Sequence, residues 1–152
     1  MFFCLPAVAR GDGLFAEGGE GFLFSSNTEA LFVRYMKDAR PLFGRESFYD
    51  FSVASWNGPN HDDAVAITRG LRWDWKEKNY FSFEAGGAYL ERTTDNLGTR
   101  LQFAFRFAFG LKAEEYDISI GYNHFSNGKE IFHWSGPNNG ENFLTLQIGL
   151  VF

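Results

Sequence analysis

His124 and Ser126 stand two residues apart in the run Tyr116-Asp-Ile-Ser-Ile-Gly-Tyr-Asn-His-Phe-Ser126. A serine hydroxyl is a poor nucleophile until a neighbouring base takes its proton, and an imidazole is the commonest such base. Side chains alternate across a β-strand, so residues two apart share a face. Read as a strand, the run puts Tyr116, Ile118, Ile120, Tyr122, His124 and Ser126 on one side and Asp117, Ser119, Gly121 and Asn123 on the other. The reactive pair therefore ends an otherwise apolar face. Modest rotamer adjustment would bring hydroxyl to ring. A third group should orient the imidazole, as an Asn does in Cys-His-Asn sites. Asn142, at the start of the last strand-like segment, has the parity to lie beside His124. Glu141 is the better orienter by chemistry but has the opposite parity, so both stay candidates.

The elements that must position these residues are strands. Alternation marks eight segments, at 13–20, 29–38, 46–56, 63–75, 80–91, 97–112, 116–126 and 142–152. The first is the weakest, interrupted by Gly18 and Gly19. No helical periodicity and no linker appears. The sixth sets Leu97, Thr99, Leu101, Phe103, Phe105, Phe107, Phe109 and Leu111 against Gly98, Arg100, Gln102, Ala104, Arg106, Ala108, Gly110 and Lys112. The fourth sets Val65, Ile67, Leu71, Trp73 and Trp75 against Thr68, Gly70, Arg72 and Asp74.

Such alternation fits a soluble sandwich or lipocalin-like barrel, with the apolar face inside, or a membrane barrel, with that face in lipid. Strand lengths of about 10 suit an oblique bilayer crossing. The second face is small as well as polar, as a narrow eight-strand interior requires. The expected fold is an all-β, eight-stranded antiparallel transmembrane β-barrel. Arg34, Asp50, Arg72, Asp74, Glu84, Arg100, Arg106 and Lys112 should then point inward and neutralise one another, because an unpaired buried charge is costly. With a periplasmic N-terminus, the connections near 39–45, 76–79 and 113–115 are periplasmic. Those near 21–28, 57–62, 92–96 and 127–141 are external. Short inner turns and longer outer loops match the usual asymmetry. Trp73 and Trp75 reach the periplasmic interface, and His124 and Ser126 reach the outer-leaflet rim.

Composition narrows the classes further. In 152 residues, 19 are Phe, and no apolar run approaches the ~20 residues of a membrane helix. A formal net charge of −5 gives no nucleic-acid footprint. A single cysteine, Cys4, excludes an internal disulfide framework and a cysteine-rich metal site. Residues 1–9 end in Ala7-Val8-Ala9, which resembles a leader-cleavage signature, and read as a signal-peptide remnant. The barrel occupies 10–152. His61-Asp62-Asp63 lacks a paired motif and reads as a solvated loop, and His133-Trp134 reads as an interfacial aromatic. No cofactor and no metal is expected.

The run Tyr122-Asn-His124-Phe-Ser126-Asn127-Gly128, then Pro137-Asn-Asn-Gly140-Glu-Asn142 and a terminal strand, resembles the lipid A 3-O-deacylases, the PagL family. Phe83-Glu-Ala-Gly-Gly87 and Asn96-Leu-Gly98 are similar too. The resemblance is clear from about Phe81 to Phe152 and general before that. It implies an integral outer-membrane barrel of a Gram-negative cell that hydrolyses the 3-linked acyl ester of lipid A in lipopolysaccharide without a metal. By motif, Ser126 resembles the nucleophile and His124 the base. Asn127, through its side chain, and the backbone near Gly128 resemble the oxyanion donors. The family's acid is a Glu shortly after the loop glycine, and Gly140-Glu141-Asn142 departs from that by one position. Either Glu141 takes the role from a locally shifted strand start or Asn142 replaces the acid. The alternative is a non-catalytic small outer-membrane barrel with a structural or adhesive role. The choice of acyl chain, and whether the chain forms a homodimer, stay open.

Overall fold

The structure is a computed structural model that describes residues 11–152; the expected leader remnant at 1–9 lies outside them. Eight antiparallel strands run β1 (Gly13–Gly21), β2 (Glu29–Leu42), β3 (Arg45–Asn57), β4 (Asp62–Trp75), β5 (Asn79–Leu90), β6 (Leu101–Lys112), β7 (Tyr116–Ser126) and β8 (Glu141–Val151). They pair in chain order, and β8 pairs back onto β1, so the sheet closes into a barrel. Closure satisfies every strand's backbone groups and leaves no edge, the condition for a sheet in lipid. Among the described residues no helix is long and apolar enough to cross a membrane. A 3-10 turn (Leu23–Ser25) follows β1, and one helical turn, α1 (Lys129–Phe132), follows β7. The sequence shows no helical period at either place because each is too short to carry one.

The exterior is apolar. Leu31, Val33, Val65, Ile67, Phe107, Phe109, Ile118, Ile120, Leu144 and Leu146 are exposed, although water would make that arrangement unfavourable. The aromatic side chains of β5 and β6 tile this surface, with the Phe83 and Phe107 rings 4.8 Å apart and Phe81 and Phe107 6.3 Å apart. Trp75 stands at the end that carries the termini, the position of an interfacial anchor. The Phe103–Phe109 row faces out, while Gln102, Ala104, Arg106 and Ala108 face in and are buried.

The interior has three tiers. In the middle, two guanidiniums meet three carboxylates. Arg34 lies 3.0 Å from Glu17, 2.6 Å from Glu84 and 3.2 Å from Asp50. Arg106 lies 3.2 Å from both Glu17 and Glu84, and donates to Gln147 at 2.9 Å. Toward the termini, Phe15, Met36 and Phe48 cluster, and the Arg72 guanidinium sits 4.4 Å from the Tyr80 ring centre. There Gly70 lies opposite Phe48, and a Cβ would collide with that ring, so the glycine makes room for an inward aromatic. Toward the long loops, Phe32, Trp56, Phe125 and Phe143 fill the bore, with Trp56 5.4 Å from both Phe125 and Phe143.

Five details differ from the sequence reading. The second face is not uniformly small and polar, because the loop-end tier is an aromatic plug. The sixth strand begins at Leu101, so Leu97 does not face outward. It is wholly buried and bridges to Asn138. Gly98 lies against Gly136 and Pro137 of the β7–β8 loop, and that contact takes the backbone out of the ladder before β6 begins. Arg100 precedes the strand and is exposed rather than internal, and Asp74 is exposed at the termini-end mouth, where it pairs with Lys112. Glu17, absent from the expected interior charges, is shared by both arginines, as Glu84 is.

Candidate active site

His124 and Ser126 end β7 on the outward face, both half-buried. The β6 register puts Phe105 beside His124 and Phe103 beside Ser126. Rings flank the imidazole: Phe105 and Tyr122 each lie 6.3 Å from it, nearly parallel. On the other side the β8 register sets His124 opposite Asn142. The His124 Nδ1 is 2.9 Å from the Asn142 amide oxygen. An amide oxygen only accepts, so Nδ1 donates; in the neutral ring this fixes the tautomer that leaves the Nε2 lone pair to act as a base. The Tyr122 hydroxyl donates to the same oxygen at 2.8 Å, which holds the amide in that orientation. Alternation puts Tyr122 on the apolar face and gives no sign that its hydroxyl reaches Asn142.

Gly140 closes the site from the loop side. Its φ is +79°, and a Cβ there would approach His124 Cε1 to 2.8 Å. Only glycine suits both the backbone and the ring. His124 and Ser126 do not hydrogen-bond to each other here. Catalytic contacts of this kind often tighten only with substrate.

Of the two orienters left open by the sequence, Asn142 reaches His124. Glu141 does not, because β8 pairing begins at Glu141 without a shift and the period of two turns its side chain into the barrel, opposite Phe125. It is wholly buried there. Ser25, on the 3-10 turn, donates to it, and the Asn96 amide donates at 3.0 Å. Ser25 Oγ in turn accepts the Asn142 backbone N–H at 2.8 Å. Ser25 and Asn96 lie in loops, where no periodic signal announces a contact.

Asn127 is also placed differently from the expected side-chain oxyanion donor. It is buried, its amide donates to the Pro137 carbonyl at 3.0 Å, and its amide oxygen accepts from Lys129 N–H at 3.0 Å. Its own N–H donates to Asn138 at 2.8 Å. A buried amide must satisfy both ends, and this one does so within the β7–β8 loop. The Gly128 N–H, by contrast, meets no acceptor among the described residues. The loop packs on the barrel through Phe132, stacked 5.7 Å from Phe103 and 5.5 Å from Trp134. His61 contacts the Trp56 carbonyl at 2.9 Å, and Asp62 accepts the N–H groups of Asp63 and Arg92. No group of three or more His, Cys, Asp and Glu among the described residues is arranged to hold a metal.

A hydroxyl, an imidazole and an orienting amide thus stand together at the loop end of an apolar wall. That arrangement can attack a carbonyl delivered along the wall by a greasy chain.

The family model described as lipid A 3-O-deacylase (PagL) matches residues 18–151. No curated protein matches the chain. Among solved structures, the outer-membrane enzyme PagL superposes with a TM-score of 0.67 at 20% identity, covering 92% of this chain and 99% of that one. A de novo designed transmembrane β-barrel gives 0.69 at 9% identity, covering 97% and 100%. The N-terminal β-barrel domain of Pseudomonas aeruginosa OprF gives 0.61 at 13% identity, covering 95% and 98%. The three structures share the barrel fold with this chain.

Proposed function

The chain belongs to the lipid A 3-O-deacylase (PagL) family, and on that premise we propose that it is an esterase of the Gram-negative outer membrane that removes the 3-O-linked acyl chain of lipid A by a Ser126/His124 mechanism. The observation that carries this reading is the 2.9 Å contact between His124 Nδ1 and Asn142 on the lipid-facing wall. Acyl chains lie along the outward face, past Phe107 and Phe105, and bring the ester carbonyl to Ser126. His124 Nε2 takes the hydroxyl proton as Oγ attacks the carbonyl carbon. The oxyanion of the tetrahedral intermediate meets the Gly128 N–H. The intermediate collapses, His124 returns the proton to the departing sugar oxygen, and an acyl-serine remains. A water, deprotonated by His124, then releases the fatty acid.

Asn142 stands where a carboxylate would better stabilise the imidazolium formed in both steps. That substitution is the specific observation behind the second reading, a non-catalytic barrel with a structural or adhesive role. Mass spectrometry of lipid A from cells carrying the wild type or Ser126→Ala separates the two. The wild type should release a 3-hydroxy fatty acid, and Ser126→Ala should lower release by ~10³-fold or more while the protein still migrates as a folded barrel. Full-length lipid A in both strains supports the second reading.

A further inference from the structure

We propose that Glu141 is a positioning residue for His124, acting from inside the barrel through Ser25 and the backbone of Asn142. The inference rests on the esterase reading above. Its starting point is an anomaly. The loop-end tier of the bore is mostly apolar, built of Phe32, Trp56, Leu90, Leu97, Phe125 and Phe143, with Asp62 the other buried acid near it. Glu141 stands at this level wholly buried, and among the described residues no cation pairs with it. A carboxylate in such a place is expensive, and an apolar residue would pack there at lower cost.

What the carboxylate does is join three segments. It accepts from Ser25 on the β1–β2 loop and from Asn96 on the β5–β6 loop, and it is itself the first residue of β8. Ser25 has one hydroxyl proton. Committing that proton to Glu141 leaves the Oγ lone pairs facing the Asn142 N–H, which they accept at 2.8 Å. The Asn142 side chain lies on the outward face and ends on His124. Glu141 thus sets which way the Ser25 hydroxyl points, Ser25 anchors the peptide of Asn142, and Asn142 fixes the imidazole. The Asn96 amide, which also donates to the Phe24 carbonyl at 2.7 Å, holds the second carboxylate oxygen.

Glutamine at 141 is a sharp probe because it keeps the volume but has one acceptor oxygen. If that oxygen faces Ser25, the new NH₂ opposes the Asn96 amide, whose other acceptor is already Phe24. If it faces Asn96, the Ser25 proton loses its acceptor and the hydroxyl is free to turn away from Asn142.

The test uses the full barrel folded in micelles. Steady-state constants on lipid A are measured for the wild type, Glu141→Gln, Asn142→Ala and the double variant, and ¹⁵N resonances of His124 are recorded for each. Glu141→Gln should lower kcat on the order of tenfold with KM held within about twofold. In the Asn142→Ala background the same change should cost less than about twofold, because residues acting in series do not add. His124 should hold its proton on Nδ1 in the wild type and mix in the Nε2–H tautomer in Glu141→Gln. Multiplying losses in the double variant, or an unchanged His124 tautomer, overturns the proposal. Should Glu141→Gln fail to fold, Ser25→Ala carries the same readouts with the same two outcomes. A wild type that releases no acyl chain refutes the esterase reading alone, since the tautomer still judges the positioning role.

Discussion

The barrel's middle and its outer rim both put polar side chains where water is scarce, and they answer the cost in opposite ways. In the middle, Arg34 and Arg106 are enclosed by Glu17, Asp50 and Glu84, and with further bonds to Asn123, Ser119 and Gln147 four of the five N–H protons on each guanidinium are occupied. The aromatic plug above and the Phe15, Met36 and Phe48 cluster below close it off. At the loop end of the outward face, His124 and Ser126 are half-buried, and Nε2 and Oγ keep unspent hydrogen-bonding capacity. One region is closed on itself and sets stability. The other is held from behind and left open in front, which is what catalysis requires.

The comparison can be broken by swapping the effects. Arg34→Ala should have the largest consequence and it should fall on folding. It leaves three carboxylates facing one guanidinium, and removing one member of a buried ionic set costs about 3–5 kcal/mol. Urea titration of the folded barrel in lipid should register that loss, while turnover per folded molecule stays within about twofold of wild type. Asn142→Asp should do the reverse. The change is isosteric at the oxygen 2.9 Å from His124, and a carboxylate stabilises imidazolium better than an amide does. We expect kcat to rise about tenfold, equivalent to ~1.4 kcal/mol of barrier, with little change in the urea midpoint. Tyr122→Phe should give the smallest effect, removing one of the two donors on the Asn142 oxygen and lowering kcat about threefold, in keeping with one modest hydrogen bond. If Arg34→Ala instead slows the folded protein, or Asn142→Asp moves only stability, the division between the two regions is wrong.

Most of the wall was legible in the sequence because period two is a strong signal wherever one face meets lipid. Phe103 to Phe109 alternate with Gln102, Ala104, Arg106 and Ala108, and a one-residue slip would have exchanged the two faces. The same parity places Asn142 beside His124. The reading weakened where residues leave the ladder. Leu97 continues the alternation on paper, but the chain at Gly98 packs against Pro137 and turns the leucine inward. The aromatic plug was hidden for another reason: Phe32, Trp56, Phe125 and Phe143 are apolar on the polar face, and a rule that equates apolar with outward cannot see them. Glu17 sits in a glycine-rich strand whose alternation is faint. Ser25 and Asn96 meet Glu141 by loop packing, which has no period at all.

The central claim is that the lipid-facing hydroxyl of Ser126 is a nucleophile activated by His124. Fluorophosphonate labelling of the folded barrel, followed by mapping of the modified residue, tests it most directly. The account predicts one adduct on Ser126 that is lost in His124→Ala. A folded protein that releases fatty acid yet carries its adduct on another serine, or labels Ser126 equally without His124, would contradict it.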